Sequence, residues 1–365
     1  MIGIVCFWDR YATPYLKKYE DILDSMGVDY EVIFWNRNPN DDADIISQVE
    51  NVVNINIDCI GKKLQKIQAF YRWKKIARRI IKEKKYDHLI VLSTVPAVLL
   101  CGILMRKYRN NYLFDIRDYT LEKNKLFKYI VMQLIKGSVL TAISSKGFMR
   151  WLNPSPKIMI NHNITVNHEK TSTCPRLKEK ETINFAFVGN VRLDAQTQAL
   201  LLALKEENRI EQHYYGRILP SCNIGEIATA NNVQNLFLHG SFDVLDKPQI
   251  FENVDLINCV YANAEKEEDI ALEDSTPLPN RLYDSIIFYR PMVASKGTYL
   301  SELVQQYHLG CSVNGFSKNA CDDILKYVDE FDEALFTKGC DELRAIVTKE
   351  ELEFLQAVKN VLEKW

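Results

Sequence analysis

The chain has 365 residues, 47% of them apolar and 26% charged, and a formal net charge of −2. This composition excludes a disordered, collagen-like or coiled-coil chain, and the length suits two domains better than one. The small net charge hides a division: residues 1–165 carry 26 Lys and Arg against 16 Asp and Glu, whereas residues 166–365 carry 20 against 32, a split expected where the basic half meets a membrane or another anionic partner.

In chain order, Met1-Ile2-Gly3-Ile4-Val5-Cys6-Phe7 has no basic leader and no cleavage site, so it reads as a strand and not as a signal peptide. Further strands are expected at Tyr30–Phe34, Leu89–Leu92, Tyr112–Ile116, Val139–Ile143 and Lys157–Ile160. Helices are expected over Tyr15–Met26, Gly61–Lys84 and Leu121–Ile135. Strand alternating with helix implies a parallel sheet covered on both faces. Asp42-Ala43-Asp44 has the spacing of a metal-holding pair, but it precedes an apolar run where carboxylates favour a helix start, so it reads as a cap. The uncharged stretch Leu89–Met105 is 17 residues long and is broken at Pro96. A membrane-spanning helix needs about 20, so this stretch is a strand and then a helix.

The segment 61–85 holds eleven Lys and Arg against one Glu, with Leu64, Ile67, Phe70, Trp73, Ile76, Ala77, Ile80 and Ile81 at helical spacing. A basic amphipathic helix with aromatics suits an anionic membrane surface, with Lys74, Lys75, Arg78 and Arg79 as contacts. Each such residue near the surface contributes about 1 kcal/mol. A plain core-packed helix with a solvated outer face is the alternative. Nucleic acid is not an expected partner, because no nucleic-acid motif accompanies the charge and the second half is acidic.

Residues 166–182 are polar and without periodicity, a linker. The strand pattern then resumes at Ile183–Val188, Gln212–Tyr215, Leu236–His239, Asp255–Val260, Met292–Ser295 and Cys311–Val313, and the chain closes on an amphipathic helix at Glu350–Lys364. Two α/β domains follow: residues 1–165 and 183–345, with 346–365 as a terminal helix. The nine cysteines are odd in number, widely spaced and without C-x-x-C, as in a reduced cytosolic protein without a zinc site. No two glycines are separated by one residue, no P-loop motif occurs, and the six histidines lack ligand spacing. Neither a metal nor another cofactor is expected.

Open parallel sheets bind ligands beyond the carboxyl ends of their strands, so the loops after strands are the places for chemistry. Asp9 and Arg10 follow the first strand. Phe114-Asp115-Ile116-Arg117-Asp118-Tyr119 follows another. Phe187-Val188-Gly189-Asn190-Val191-Arg192 opens the second domain. The segment Pro279-Asn280-Arg281-Leu282-Tyr283-Asp284, ending at Tyr289-Arg290-Pro291-Met292-Val293-Ala294-Ser295, reads as a helix with an acid in its first turn, then a proline and a short strand. Such an acid can accept both hydroxyls of a ribose, and free amides at the helix start can take phosphate oxygens.

This segment resembles the Asn-Lys-Leu-Tyr-Glu…Gly-Lys-Pro-Val-Ile-Ala-Ser stretch of glycosyltransferases with the two-domain GT-B fold, of the family 4 type found in bacterial surface polysaccharide synthesis. Residues 187–192 resemble the first strand and loop of their donor domain, and Asn161-His162-Asn163-Ile164 their exit from the first domain. The resemblance implies two Rossmann-like doubly wound domains facing a cleft, with the last helix crossing back to the first domain. It puts Asp284 where the family's ribose-binding Glu stands. It makes Gly189, Asn190, Arg192, Arg217, Asn280, Arg281, Leu282 and Tyr283 further donor contacts, with Arg192 gripping the diphosphate. It places Asp118 as the carboxylate facing the acceptor, with Asp9, Arg10 and Arg117 beside it. The sequence departs from the family pattern in four places: Thr276 stands eight residues before Asp284 in place of the first acid, Asp284 is one methylene shorter than Glu, Tyr289 replaces a glycine, and the lysine that commonly assists the arginine at the phosphates is not evident after Arg192.

The function implied is transfer of a sugar from a nucleotide-sugar to a glycan or lipid-linked acceptor, with retention, at the cytoplasmic face of the membrane. A sugar-nucleotide 2-epimerase of the same fold and a non-catalytic glycosyltransferase-like subunit are the alternatives.

Overall fold

The computed structural model describes residues 1–7, 13, 15–37, 51–59, 61–164 and 173–365. The chain divides into two compact units, 1–163 with 350–365, and 164–349. Asp9, Arg10, the Asp42–Asp44 pair and the early part of the linker lie outside the described residues.

In the first unit the strands are β1 (Ile2–Cys6), β2 (Tyr30–Asn36), β3 (Val52–Asn56), β4 (His88–Leu92), β5 (Tyr112–Ile116), β6 (Leu140–Ile143) and β7 (Ile158–Ile160). They form one parallel sheet in the order 3-2-1-4-5-6-7. The central strands are apolar throughout because both faces are covered: all five residues of β1 and of β5 are buried. On one face, Tyr19 and Leu23 of the helix Leu16–Met26 pack with Phe354, Val358 and Leu362 of the last helix against Ile4, Cys6 and Ile90. On the other face lies the helix Lys63–Lys84. It buries only Ala69, Trp73, Ala77 and Ile81, a stripe at every fourth residue. Trp73 packs 5.1 Å from Phe7 and 5.9 Å from Trp35, centre to centre.

The second unit contains β8 (Ile183–Val188), β9 (Ile210–Tyr215), β10 (Leu236–Gly240), β11 (Leu256–Cys259), β12 (Met292–Ser295) and β13 (Gly310–Val313). This sheet is also parallel, in the order 10-9-8-11-12-13. Counted from each unit's first strand, the second sheet runs 3-2-1-4-5-6 and the first follows the same order with a seventh strand added at its edge, the doubly wound arrangement whose order reverses beside the first strand.

Two elements differ from the sequence reading. β3 was not expected. It is an edge strand of Val-Val-Asn-Ile-Asn with only Ile55 buried, so it lacks the apolar run that marks the inner strands. The last helix is not confined to 350–364. It is one helix from Glu333 to Leu362, and the boundary between the units falls inside it, after Lys349.

Candidate functional site

In the second sheet the reversal lies between β8 and β11. Gly189 follows β8 with φ +141° and Gly216 follows β9 with φ +138°. A Cβ on Gly216 would stand 1.7 Å from the Gly189 carbonyl oxygen, so only glycine lets these strand ends close together. The Gly189 N–H donates to the Tyr215 carbonyl at 2.9 Å and the Gly216 N–H to the Gly240 carbonyl at 2.7 Å. Backbone without side chains thus lines the carboxyl ends of neighbouring strands.

The helix Arg281–Phe288 begins beside this end, and all eight of its residues are buried. The Arg281 guanidinium carbon lies 3.8 Å from the centre of the Phe187 ring on β8, a cation–π contact. Burial pushes the Cys259 thiol at the end of β11 up to about 11, with Arg281 opposing and Asp284 adding to the shift. The helix start therefore sits against the ends of both β8 and β11. Nη1 of Arg281 is buried and has no hydrogen-bond partner within the protein. The same holds for the hydroxyl of Tyr214, whose ring stacks on Phe187 at 5.5 Å. Buried donors without partners are rare and point to a missing acceptor.

Asp284 is buried, and Nζ of Lys247 donates to its Oδ1 at 2.7 Å. Lys247 comes from the helix Lys247–Glu252. Its sequence context, Asp-Lys-Pro, marks a helix start but carries no sign of a partner 37 residues further on. Lys247, Phe187, Tyr214 and Cys259 are the site residues that sequence reasoning missed.

Several expected contacts differ in the structure. The amides of the first turn are not free: Leu282 N–H donates to the Pro279 carbonyl at 3.0 Å, and Tyr283 and Asp284 donate to Asn280 at 2.9 and 3.1 Å. The residues before the helix already turn in helical conformation and consume these donors. Leu282 and Tyr283 point their side chains into the core of the unit and are packing residues, whereas Asn280 is exposed. Arg192 is exposed, with its Nε 2.8 Å from Asp194 Oδ2. Burial raises the Asp194 carboxyl above its ordinary pKa, with Arg192 opposing and Asp274 adding. Asn190 and Arg217 are also exposed, and the Arg217 carbonyl accepts the Val191 N–H at 2.9 Å.

In the first unit, Asp115 and Arg117 are paired, but inside the protein. Arg117 donates from Nε and Nη2 to the two carboxylate oxygens of Asp115 at 2.7 and 2.9 Å, and from Nη1 to the Asn161 carbonyl at 2.8 Å and Asn163 Oδ1 at 2.9 Å. Its face covers the Tyr15 ring at 4.1 Å. Four of the five N–H groups of the guanidinium are engaged inside the unit. Arg117 is a brace between β5 and the segment after β7, contrary to the expected acceptor-side role. Asp118, next in the loop, keeps an open face to solvent. Crowding of its carboxyl raises its pKa, Arg117 opposes, and Asp115 adds. On the helix Lys63–Lys84, Lys75, Arg78 and Arg79 are exposed and Lys74 is half-buried. No helix among the described residues is long and apolar enough to cross a membrane, and no group of three or more metal-ligating side chains is assembled among them.

No family model and no curated protein matches the chain in sequence. Solved structures match along its length. Sucrose-phosphate synthase from Thermosynechococcus elongatus superposes with a TM-score of 0.72 at 10% identity, covering 100% of this chain and 99% of its own. Anabaena Alr3699/HepE, solved in complex with UDP and glucose, gives 0.67 at 14% identity, with 100% and 99% covered. A protein described as a UDP-N-acetylglucosamine 2-epimerase from Listeria monocytogenes gives 0.57 at 10% identity, with 93% and 90% covered. The fold is GT-B.

Proposed function

We propose that the protein transfers a sugar from a nucleotide-sugar to a hydroxyl of a glycan or lipid-linked acceptor, with retention at the anomeric carbon, in surface polysaccharide synthesis at the inner face of the membrane. The observation that carries this reading is Arg281: a guanidinium held dry over Phe187, with its buried Nη1 unpartnered, at the strand-order reversal of a GT-B donor-side sheet. A donor phosphate oxygen supplies the missing acceptor, and a charged hydrogen bond in such a place is worth more than its counterpart in water. Lys247, 2.7 Å from Asp284, adds positive charge beside it. Asp284 accepts the ribose hydroxyls as Lys247 turns toward the diphosphate. Arg192 closes on the outer phosphate from the loop after β8. With these three cations the leaving diphosphate is stabilised without a metal. Asp118, its pKa raised by burial, takes the proton of the acceptor hydroxyl. The Anabaena structure, which holds UDP and glucose, supports the ligand class.

The test is turnover of sugar nucleotides with and without lipid-linked acceptors, following nucleoside diphosphate release. Release is expected to depend on the acceptor, and Arg281→Ala is expected to lower kcat/KM by about 10²–10³-fold, the range for losing one electrostatic stabiliser. Conversion of the donor to its C2 epimer without acceptor would replace this reading with the epimerase one, which the Listeria likeness favours. Nucleotide binding without turnover on any acceptor would leave a non-catalytic subunit, which Thr276 in place of the first acid favours.

A further inference from the structure

The strongest unexplained surface lies in the first unit. Leu64, Ile67 and Tyr71 on the helix Lys63–Lys84, and Leu121, Leu126 and Tyr129 around the start of the helix Lys125–Gly137, are each between 49% and 74% exposed. Scattered exposed apolar residues are ordinary, but these six are not scattered. The connections β3 to β4, β4 to β5 and β5 to β6 step the same way across the sheet. Right-handed crossovers therefore put their helices on one face. The contacts agree: Lys63–Lys84 touches Thr94–Leu99, which touches Lys125–Gly137. Helices in such a sheet run opposite to the strands, so the opening turns of both helices stand at the carboxyl end of the sheet. Leu64, Ile67, Leu126 and Tyr129 are in those opening turns and Leu121 is in the loop just before one of them, while Tyr71 continues the stripe of Leu64 and Ile67 into the third turn. That loop is the one that carries Asp118, three residues before Leu121.

We infer that this rim, and not the middle of the basic helix, is the lipid-facing surface: two apolar anchors that enter the headgroup region of an anionic bilayer, one of them continuous with the acceptor loop. The inference rests on the membrane reading above and adds to it the residues and the orientation. Charge complementarity identifies the occupant. Lys62, Lys66, Lys123 and Lys125 are exposed among the anchors, and apolar side chains ringed by lysine match an interface of acyl chains and anionic headgroups. Lys75, Arg78 and Arg79 lie in later turns, farther from the rim, and act through the longer-ranged field. With the bilayer seated on this rim, a lipid-linked hydroxyl reaches Asp118 directly from the headgroup layer.

The test is co-sedimentation of the full chain with phosphatidylglycerol–phosphatidylcholine vesicles. Leu64→Glu with Ile67→Glu, and separately Leu126→Glu with Tyr129→Glu, are each expected to lower the partition coefficient about tenfold or more, the loss of two buried apolar side chains. Because these residues are exposed, the melting temperature and its rise on adding nucleoside diphosphate are expected to be unchanged. Tyr129→Trp is expected to bind as the wild type does and to shift its fluorescence to the blue when vesicles are added. Wild-type partition by both double variants, or an unshifted tryptophan, overturns the inference and leaves the membrane reading standing. A wild-type protein that ignores anionic vesicles overturns both.

Discussion

Tyr289 shows how a single residue departs from the pattern its segment resembles for a reason held elsewhere in the fold. It ends the helix Arg281–Phe288 in the left-handed region, φ 50° and ψ 55°, a position that usually falls to glycine. A side chain there costs about 1–2 kcal/mol. Its ring is fully buried and its hydroxyl donates to Asp341 of the last helix. Removing a buried aromatic side chain costs about 3–5 kcal/mol, so burial outweighs strain. Tyr289→Gly is expected to destabilise the protein by about 2 kcal/mol and to lower its melting temperature, although glycine is the usual residue at such a position; an unchanged or raised melting temperature would contradict this. Arg290 completes the same corner by donating to the carbonyls of Phe251 and Phe288 at 2.8 and 3.0 Å. The sequence displayed the substitution, but its partner stands 52 residues away, beyond any local signal. The same limit hid the Lys247–Asp284 pair, whereas Gly189, Arg281 and Asp284 were legible because they fall within short motifs.

At the scale of elements, the last helix is the clearest case of a coupling between distant parts of the sequence. From Glu350 onward it belongs to the first unit, where Glu351 accepts from Lys18 at 2.5 Å and from the His162 N–H at 3.0 Å. Glu350 meets His162 Nε2 at 2.8 Å and Lys146 at 2.5 Å. Burial alone would raise the Glu350 pKa, but the hydrogen bonds from His162 and Lys146 prevail and hold it below the ordinary value of 4.5. A depressed acid stabilises the fold fully above its unfolded pKa, and the contribution is lost as pH falls through the folded value. Amide protection in Glu350–Leu362 is therefore expected to weaken as the pH drops below 4.5, and Glu350→Gln is expected to flatten that dependence; an identical acid profile in the variant would contradict it. The inner strands were readable from their unbroken apolar runs. The single long helix was not, because Gly339 interrupts its pattern. That glycine is required by packing: a Cβ there would stand 1.6 Å from the Tyr307 carbonyl oxygen. β3 escaped for the opposite reason, since an edge strand with two asparagines has no core face to advertise.

At the scale of the molecule, both sheets wind in one order without a sequence repeat, because the alternation of strand and helix, and not residue identity, sets this architecture. The division of charge, positive over residues 1–165 and negative over 166–365, falls close to the boundary between the units at 163 and 164. The second half is acidic overall, and Arg281 is one of its few buried cations. An acidic unit binds an anionic donor only if the attraction at that cation is strong enough to overcome the surrounding field. Titration calorimetry of the full chain with the common nucleoside diphosphates tests this most directly. One of them is expected to bind at one site per chain, with affinity lowered at least tenfold by Arg281→Ala, as for a lost charged hydrogen bond of about 1.5–3 kcal/mol. Failure of every nucleoside diphosphate to bind, or equal binding by the variant, would contradict it.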